Sequence, residues 1–152
     1  EFFLPLELHQ CPLLIGLVFA ALSCGGGDAA GPQEIAYSAV GQWKGTAAGI
    51  AVELDVISEA TGCCSRPFTG PGRIIPSPTD TLDMTVSGLN QVQGVSVIFT
   101  GGLGLGPMLG QFAGQFVGAT RLVGVVRGPE AFGNPAAGPF TADSVPLELE
   151  RQ

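Results

Sequence analysis

Val52-Glu53-Leu54-Asp55-Val56 and Leu82-Asp83-Met84-Thr85-Val86 alternate an apolar residue with a polar one at every step. Successive side chains of a strand point to opposite faces, so a period of two describes strands with one face buried and the other wet. The same alternation runs through Val95, Val97 and Phe99. It continues through Phe112, Gly114 and Phe116 against Gln111, Ala113 and Gln115, and through Val145, Leu147 and Leu149 against Glu148 and Glu150. With residues 42–47, 72–75 and 122–127 added, the chain carries about eight short strands from residue 40 onward, and no window there holds a helical stripe.

Gly, Pro, Asn, Asp and Ser gather between these strands, at residues 60–62, 77–80, 90–94, 101–110, 118–121 and 128–143. Connections of this kind leave no room for the crossover helices of a parallel sheet. Strands joined by short hairpins can close on themselves and hide both edges. Gly114 and Gly124 inside strands would weaken a flat sheet, yet they suit the sharp coiling of a small barrel. The expected fold is therefore all-β, a small antiparallel up-and-down barrel over residues 40–152. A seven-strand sandwich is the alternative.

The chain has 152 residues, of which 24 are Gly and 12 are Pro. That share approaches the disordered range, but Leu, Ile, Val and Phe still make up about 30% of the chain, enough for a core. Only 12% of residues are charged and the net charge is −7. Phosphate neutralisation needs clustered cations, and the single Lys and few Arg are scattered, so nucleic acid is excluded as a partner.

Residues 12–22, PLLIGLVFAAL, form an uncharged run followed by Ser23-Cys24-Gly25-Gly26-Gly27-Asp28. The run is too short to cross a bilayer, which takes about 20 residues, and has the length of an export signal's apolar region. Residues 1–10 carry two Glu and no Lys or Arg, whereas a signal opens with positive charge. Ala21-Leu22-Ser23-Cys24 resembles a bacterial lipobox, which implies lipidation of Cys24 after cleavage of residues 1–23. A non-lipidated signal cut at the same place, or an uncleaved hydrophobic anchor or buried helix, remain open. Residues 24–39 are Gly-rich and small, as in a flexible tether reaching on the order of 20 Å. The expected address is the cell envelope, anchored to the outer membrane and facing the periplasm or the cell surface.

Gly41-Gln42-Trp43, followed by Lys44-Gly45-Thr46, resembles the G-x-W opening of the calycin barrels, the group of lipocalins, avidins and avidin-like bacterial protease inhibitors. The resemblance implies that a basic residue of the last strand, here Arg151, lies across Trp43 and closes the barrel's end. Guanidinium on indole is worth roughly 0.5 to 2 kcal/mol. The reading that needs no family takes Trp43 as simply the largest core residue.

Catalysis at neutral pH calls for a base, a metal or an activated nucleophile. The sole His is His9, within the expected signal. The carboxylates Glu53, Asp55, Asp83, Glu148 and Glu150 occupy outward phases, so no catalytic residue, metal site or cofactor is expected. Residues 101–106, GGLGLG, resemble a phosphate-cradling loop only superficially, because another strand pattern follows in place of a helix. Leu103, Leu105, Met108 and Leu109 are expected either to form an exposed contact patch at the barrel mouth or to fold over and plug it. Adjacent Cys63 and Cys64 lack a second pair for a zinc site. They read as an incidental loop feature, a vicinal disulfide, or an intermolecular or redox-active pair. The expected function is a non-catalytic envelope binding module for a small hydrophobic ligand or an envelope protein. The competing reading is a protease-inhibitor barrel using residues 28–38.

Overall fold

The computed structural model describes residues 34–102, 106–134 and 138–152. The strands are β1 (Gly41–Ala47), β2 (Ile50–Val56), β3 (Ser58–Glu59), β4 (Ser65–Ser77), β5 (Asp80–Gln91), β6 (Gly94–Gly101), β7 (Met108–Phe116), β8 (Arg121–Arg127) and β9 (Val145–Arg151). All pairings are antiparallel. From β4 to β9 each strand pairs with its neighbour in sequence, β9 returns to β1, and pairing of β2 with β4 closes the ring. The short β3 continues β2. Between Leu54↔Gly72 and Ser58↔Thr69 the β2 side advances four residues and β4 three, which makes a bulge near Ile57. The barrel proper is thus eight-stranded, and closure removes the sandwich alternative.

Alternation in the sequence becomes an inside and an outside. Trp43, Leu54, Phe68, Ile74, Met84, Val86, Val97, Phe99, Phe112, Leu122, Leu147 and Leu149 are all buried in one core. One outward row, Lys44, Glu53, Arg73 and Asp83, runs across four strands in register. An apolar lumen inside a charged wall is the reverse of a barrel that sits in lipid.

Fitting eight strands around so small a core brings backbones into close approach. A Cβ on Gly45 would lie 1.8 Å from the Glu148 carbonyl oxygen, so only glycine allows β1 and β9 to coil together here. The β1–β2 hairpin turns on Ala48 and Gly49 with φ of 49° and 81°. Positive φ at both positions marks a two-residue turn whose twist matches the strands it joins.

Strand β4 is longer than its sequence implies, running through Pro67, Pro71 and Pro76. Pro71 is tolerated because β4 pairs with β2 only from Gly72 onward and with β3 only at Phe68 and Thr69. The missing donor falls where the ladder is already broken.

The two ends are closed differently. At the far end, Pro129–Phe132 form a 3-10 turn after β8, and Phe140, before β9, is buried in the core with its ring 6.3 Å from that of Phe99. At the near end, residues 34–40 lie against the barrel as an irregular strap with Ile35 and Ala39 buried. Residues 34–39 of the stretch expected to be a tether therefore belong to the barrel's closure. Residues 24–33, Cys24 and the expected signal lie outside the described residues.

Candidate binding site

The lumen is filled. Among the described residues, the cavity between Trp43, Leu54, Val56, Phe68 and Phe116 beneath Ala39 is about 10 Å³, hardly room for one water. Any ligand of the described barrel must be met at its ends or on its wall.

At the near end the strap is held by side chains from four parts of the ring. The guanidinium carbon of Arg151 stands 4.5 Å from the centroid of the Trp43 ring. The register explains the meeting, since Trp43 and Arg151 are cross-strand partners on β1 and β9. Beneath that stack, Trp43 Nε1 donates to the Ala39 carbonyl at 2.8 Å and Arg151 Nη2 donates to the Ser38 carbonyl. Asn90 Nδ2 donates to the Tyr37 carbonyl and to Glu59 Oε1, each at 2.7 Å. Glu59 Oε2 accepts from the Ser38 hydroxyl at 2.5 Å and from the Ala39 amide at 3.1 Å. Three successive strap carbonyls and one amide are thus read by four side chains. Among the described residues, Asn90 Oδ1 and Arg151 Nε are buried with no hydrogen-bond partner.

On the outer wall, a groove of about 420 Å³ crosses β1, β2, β4 and β5. Charged and polar Gln42, Lys44, Glu53, Asp55, Arg73 and Asp83 line it together with Trp43, Leu54, Pro71, Gly72 and Met84. Glu53 bridges the two cations, 3.2 Å from Lys44 Nζ and in contact with Arg73. The Arg73 hydrogen bond, then that of Lys44, hold its carboxyl below the ordinary glutamate value. A second ion pair joins Arg121 to Glu148 through both carboxylate oxygens, Nη2 to Oε2 at 2.6 Å, and lowers the Glu148 pKa in the same way.

Leu109 is buried in the core and Met108 is half-buried in β7, while Leu103 and Leu105 lie outside the described residues. The cause is a register shift: Phe99 faces Gly110 but Thr100 faces Met108, and the extra residue turns Leu109 inward. Cys63 and Cys64 sit exposed in the loop before β4, at the strap end. Their Sγ atoms lie 2.9 Å apart, side by side at that end. Among the described residues no three His, Cys, Asp or Glu side chains gather as a metal site.

Glu59 and Asn90 carry the near end, and neither stood out as a functional residue. Asn90 had a readable signal: it continues the inward phase of Met84, Val86 and Gly88, where a polar side chain demands a partner. The turn expected at 90–94 hides it, whereas Asn90 lies within β5. Glu59 had none, because the bulge near Ile57 disguises its phase.

Fold and site define a closed, filled antiparallel barrel with one apolar and one hydrogen-bonded seal. No known family, no curated protein and no solved structure matches the chain.

Proposed function

We propose that this chain is a non-catalytic binding module of the bacterial cell envelope, held to the membrane through a lipid on Cys24 and engaging an envelope protein through its surface. The filled lumen carries this reading: with about 10 Å³ left between Trp43, Leu54, Val56, Phe68 and Phe116, a hydrophobic ligand has no room there. The mixed-charge groove across β1, β2, β4 and β5 supplies polar complementarity, which favours a protein surface over a lipid tail. The calycin-like closure of Trp43 by Arg151 supports a family relationship of architecture, and the lipobox-like Ala21-Leu22-Ser23-Cys24 supports the anchor.

Native mass spectrometry of the processed chain, isolated in detergent from cells that express it, tests the binding reading. The expected result is a polypeptide partner whose retention falls when Glu53→Lys and Arg73→Glu reverse the groove charges. A retained apolar small molecule that survives both substitutions would overturn it. Detergent phase partitioning tests the anchor separately: Cys24→Ala is expected to move the protein to the aqueous phase, and retention in detergent removes Cys24 as the attachment point.

A further inference from the structure

We propose that the strap end of the barrel is a peptide-binding site that the chain's own residues 34–39 occupy in cis, and that its ligand in trans is a short segment of another protein. This inference builds on the binding-module reading and locates a site for it. A loop that merely covers a barrel end needs apolar contact. Here, in addition, Asn90, Arg151 and Trp43 donate to the carbonyls of Tyr37, Ser38 and Ala39 in order, and Glu59 accepts from the Ala39 amide. Backbone groups are common to every polypeptide, so these contacts recognise peptide as such. Selectivity comes from two buried strap side chains, apolar Ile35 and small Ala39, four positions apart.

The occupant in place is not an ideal one. Asn90, with no exposed surface, leaves Oδ1 unpaired, and Arg151 leaves Nε unpaired. A buried acceptor and a buried donor without partners weaken the closed form. A competing segment that offers a donor to the first or an acceptor to the second reproduces the strap's backbone hydrogen bonds and adds another. Proximity adds to the strap's own contacts, since a tethered segment acts at a millimolar effective concentration. The strap therefore holds the site shut against weak peptides and yields to better ones. The ligand class is a segment with an apolar residue four positions before Ala, Gly or Ser.

The probe is a synthetic peptide of residues 32–40, Gly-Pro-Gln-Glu-Ile-Ala-Tyr-Ser-Ala-Val without its first residue, titrated against the full chain and an Ile35→Asp variant. Trp43, the only Trp of the chain and a hydrogen-bond donor in the site, reports binding by fluorescence. The expected result is saturable binding to Ile35→Asp at a peptide concentration at least tenfold lower than for the unsubstituted chain. A scrambled peptide should not bind, and adding Asn90→Ala should abolish the effect. Absence of saturation in Ile35→Asp, with hydrogen exchange showing the Ala39 amide released, overturns the site while leaving the groove-reversal experiment, and so the broader reading, intact. Concentration-dependent dimerisation of Ile35→Asp also overturns it, by assigning the site to a second copy's strap. If Ile35→Asp does not fold, the unsubstituted chain answers the question: millimolar peptide is expected to speed exchange of the Ala39 amide, and unchanged exchange overturns the proposal.

Discussion

Truncating Arg151 to Ala removes the residue in which barrel closure and strap retention meet. Its guanidinium stands 4.5 Å from the centroid of the Trp43 ring, which is itself 2% exposed. A partly desolvated stack of this kind is worth about 1 to 2 kcal/mol. The charged hydrogen bond to the Ser38 carbonyl contributes roughly 1.5 to 3 kcal/mol. Against these, deletion relieves the burial of an unpaired Nε, about 1 to 3 kcal/mol. The net loss is about 2 kcal/mol, which for a domain of roughly 120 residues lowers Tm by roughly 6 to 12 °C. Thermal unfolding followed by Trp43 emission measures it, and the native emission should also shift to the red as water reaches the indole. Arg151→Lys keeps the charge but not the planar stack, and should lose about half as much. An Arg151→Ala protein with unchanged Tm and unchanged emission would refute the closure.

Gly45→Ala places a methyl 1.8 Å from the Glu148 carbonyl oxygen, whereas Gly49→Ala meets nothing within 4 Å and suffers only from its positive φ. Urea unfolding should show more than about 3 kcal/mol lost at Gly45 and about 1 kcal/mol at Gly49; equal losses contradict the coiled packing of β1 on β9. Ala48→Asn converts the β1–β2 turn to the Asn-Gly pair that positive φ at both positions favours, and should raise Tm by a few degrees. Because the pKa values of Glu53 and Glu148 are lowered on folding, their ion pairs contribute above the usual glutamate value near 4.5. That contribution is lost as pH falls through the lower folded values. A Glu53→Gln, Glu148→Gln protein should lose less Tm than the unsubstituted chain between neutral and acidic pH. An identical decline assigns no stability to either pair.

Alternation made the barrel legible because a charge at each outward step of Val52 to Val56 leaves only one face to bury. All eight ring strands appear at their expected places, but β4 and β5 extend well beyond the expected 72–75 and 82–86. Proline and glycine signal turns only when the ladder needs their missing donor or side chain, and in β4 they sit at a break and at close approaches that reward them. Leu109 was ambiguous for a different reason. A one-residue register shift exchanges the faces of a strand, and nothing local in Met108-Leu109-Gly110 records the shift against β6. The strap was illegible because a short segment of small and polar residues has the composition of a tether whether or not a remote Glu59 and Asn90 are waiting to bind its backbone.

The contrast between the two seals decides which end can exchange partners. Withdrawing Phe140 from the far end exposes a large apolar side chain, at about 2 to 3 kcal/mol, and nothing aqueous replaces its contacts. Withdrawing the strap trades hydrogen bonds for hydrogen bonds. Each is worth about 1 kcal/mol net, with a charged one at Arg151, and two unpaired buried atoms regain water. Ile35 and Ala39 supply the apolar remainder, and Ala39 is too small to add much. The near end is therefore the closure whose contacts another polypeptide can reproduce. It is also the end at which the described chain enters the barrel, at Glu34. A pull or a competing segment acting on that connection reaches Ile35 before it reaches Trp43, so the strap should open from its N-terminal side, with the Asn90 contact to Tyr37 released ahead of the Trp43 contact to Ala39.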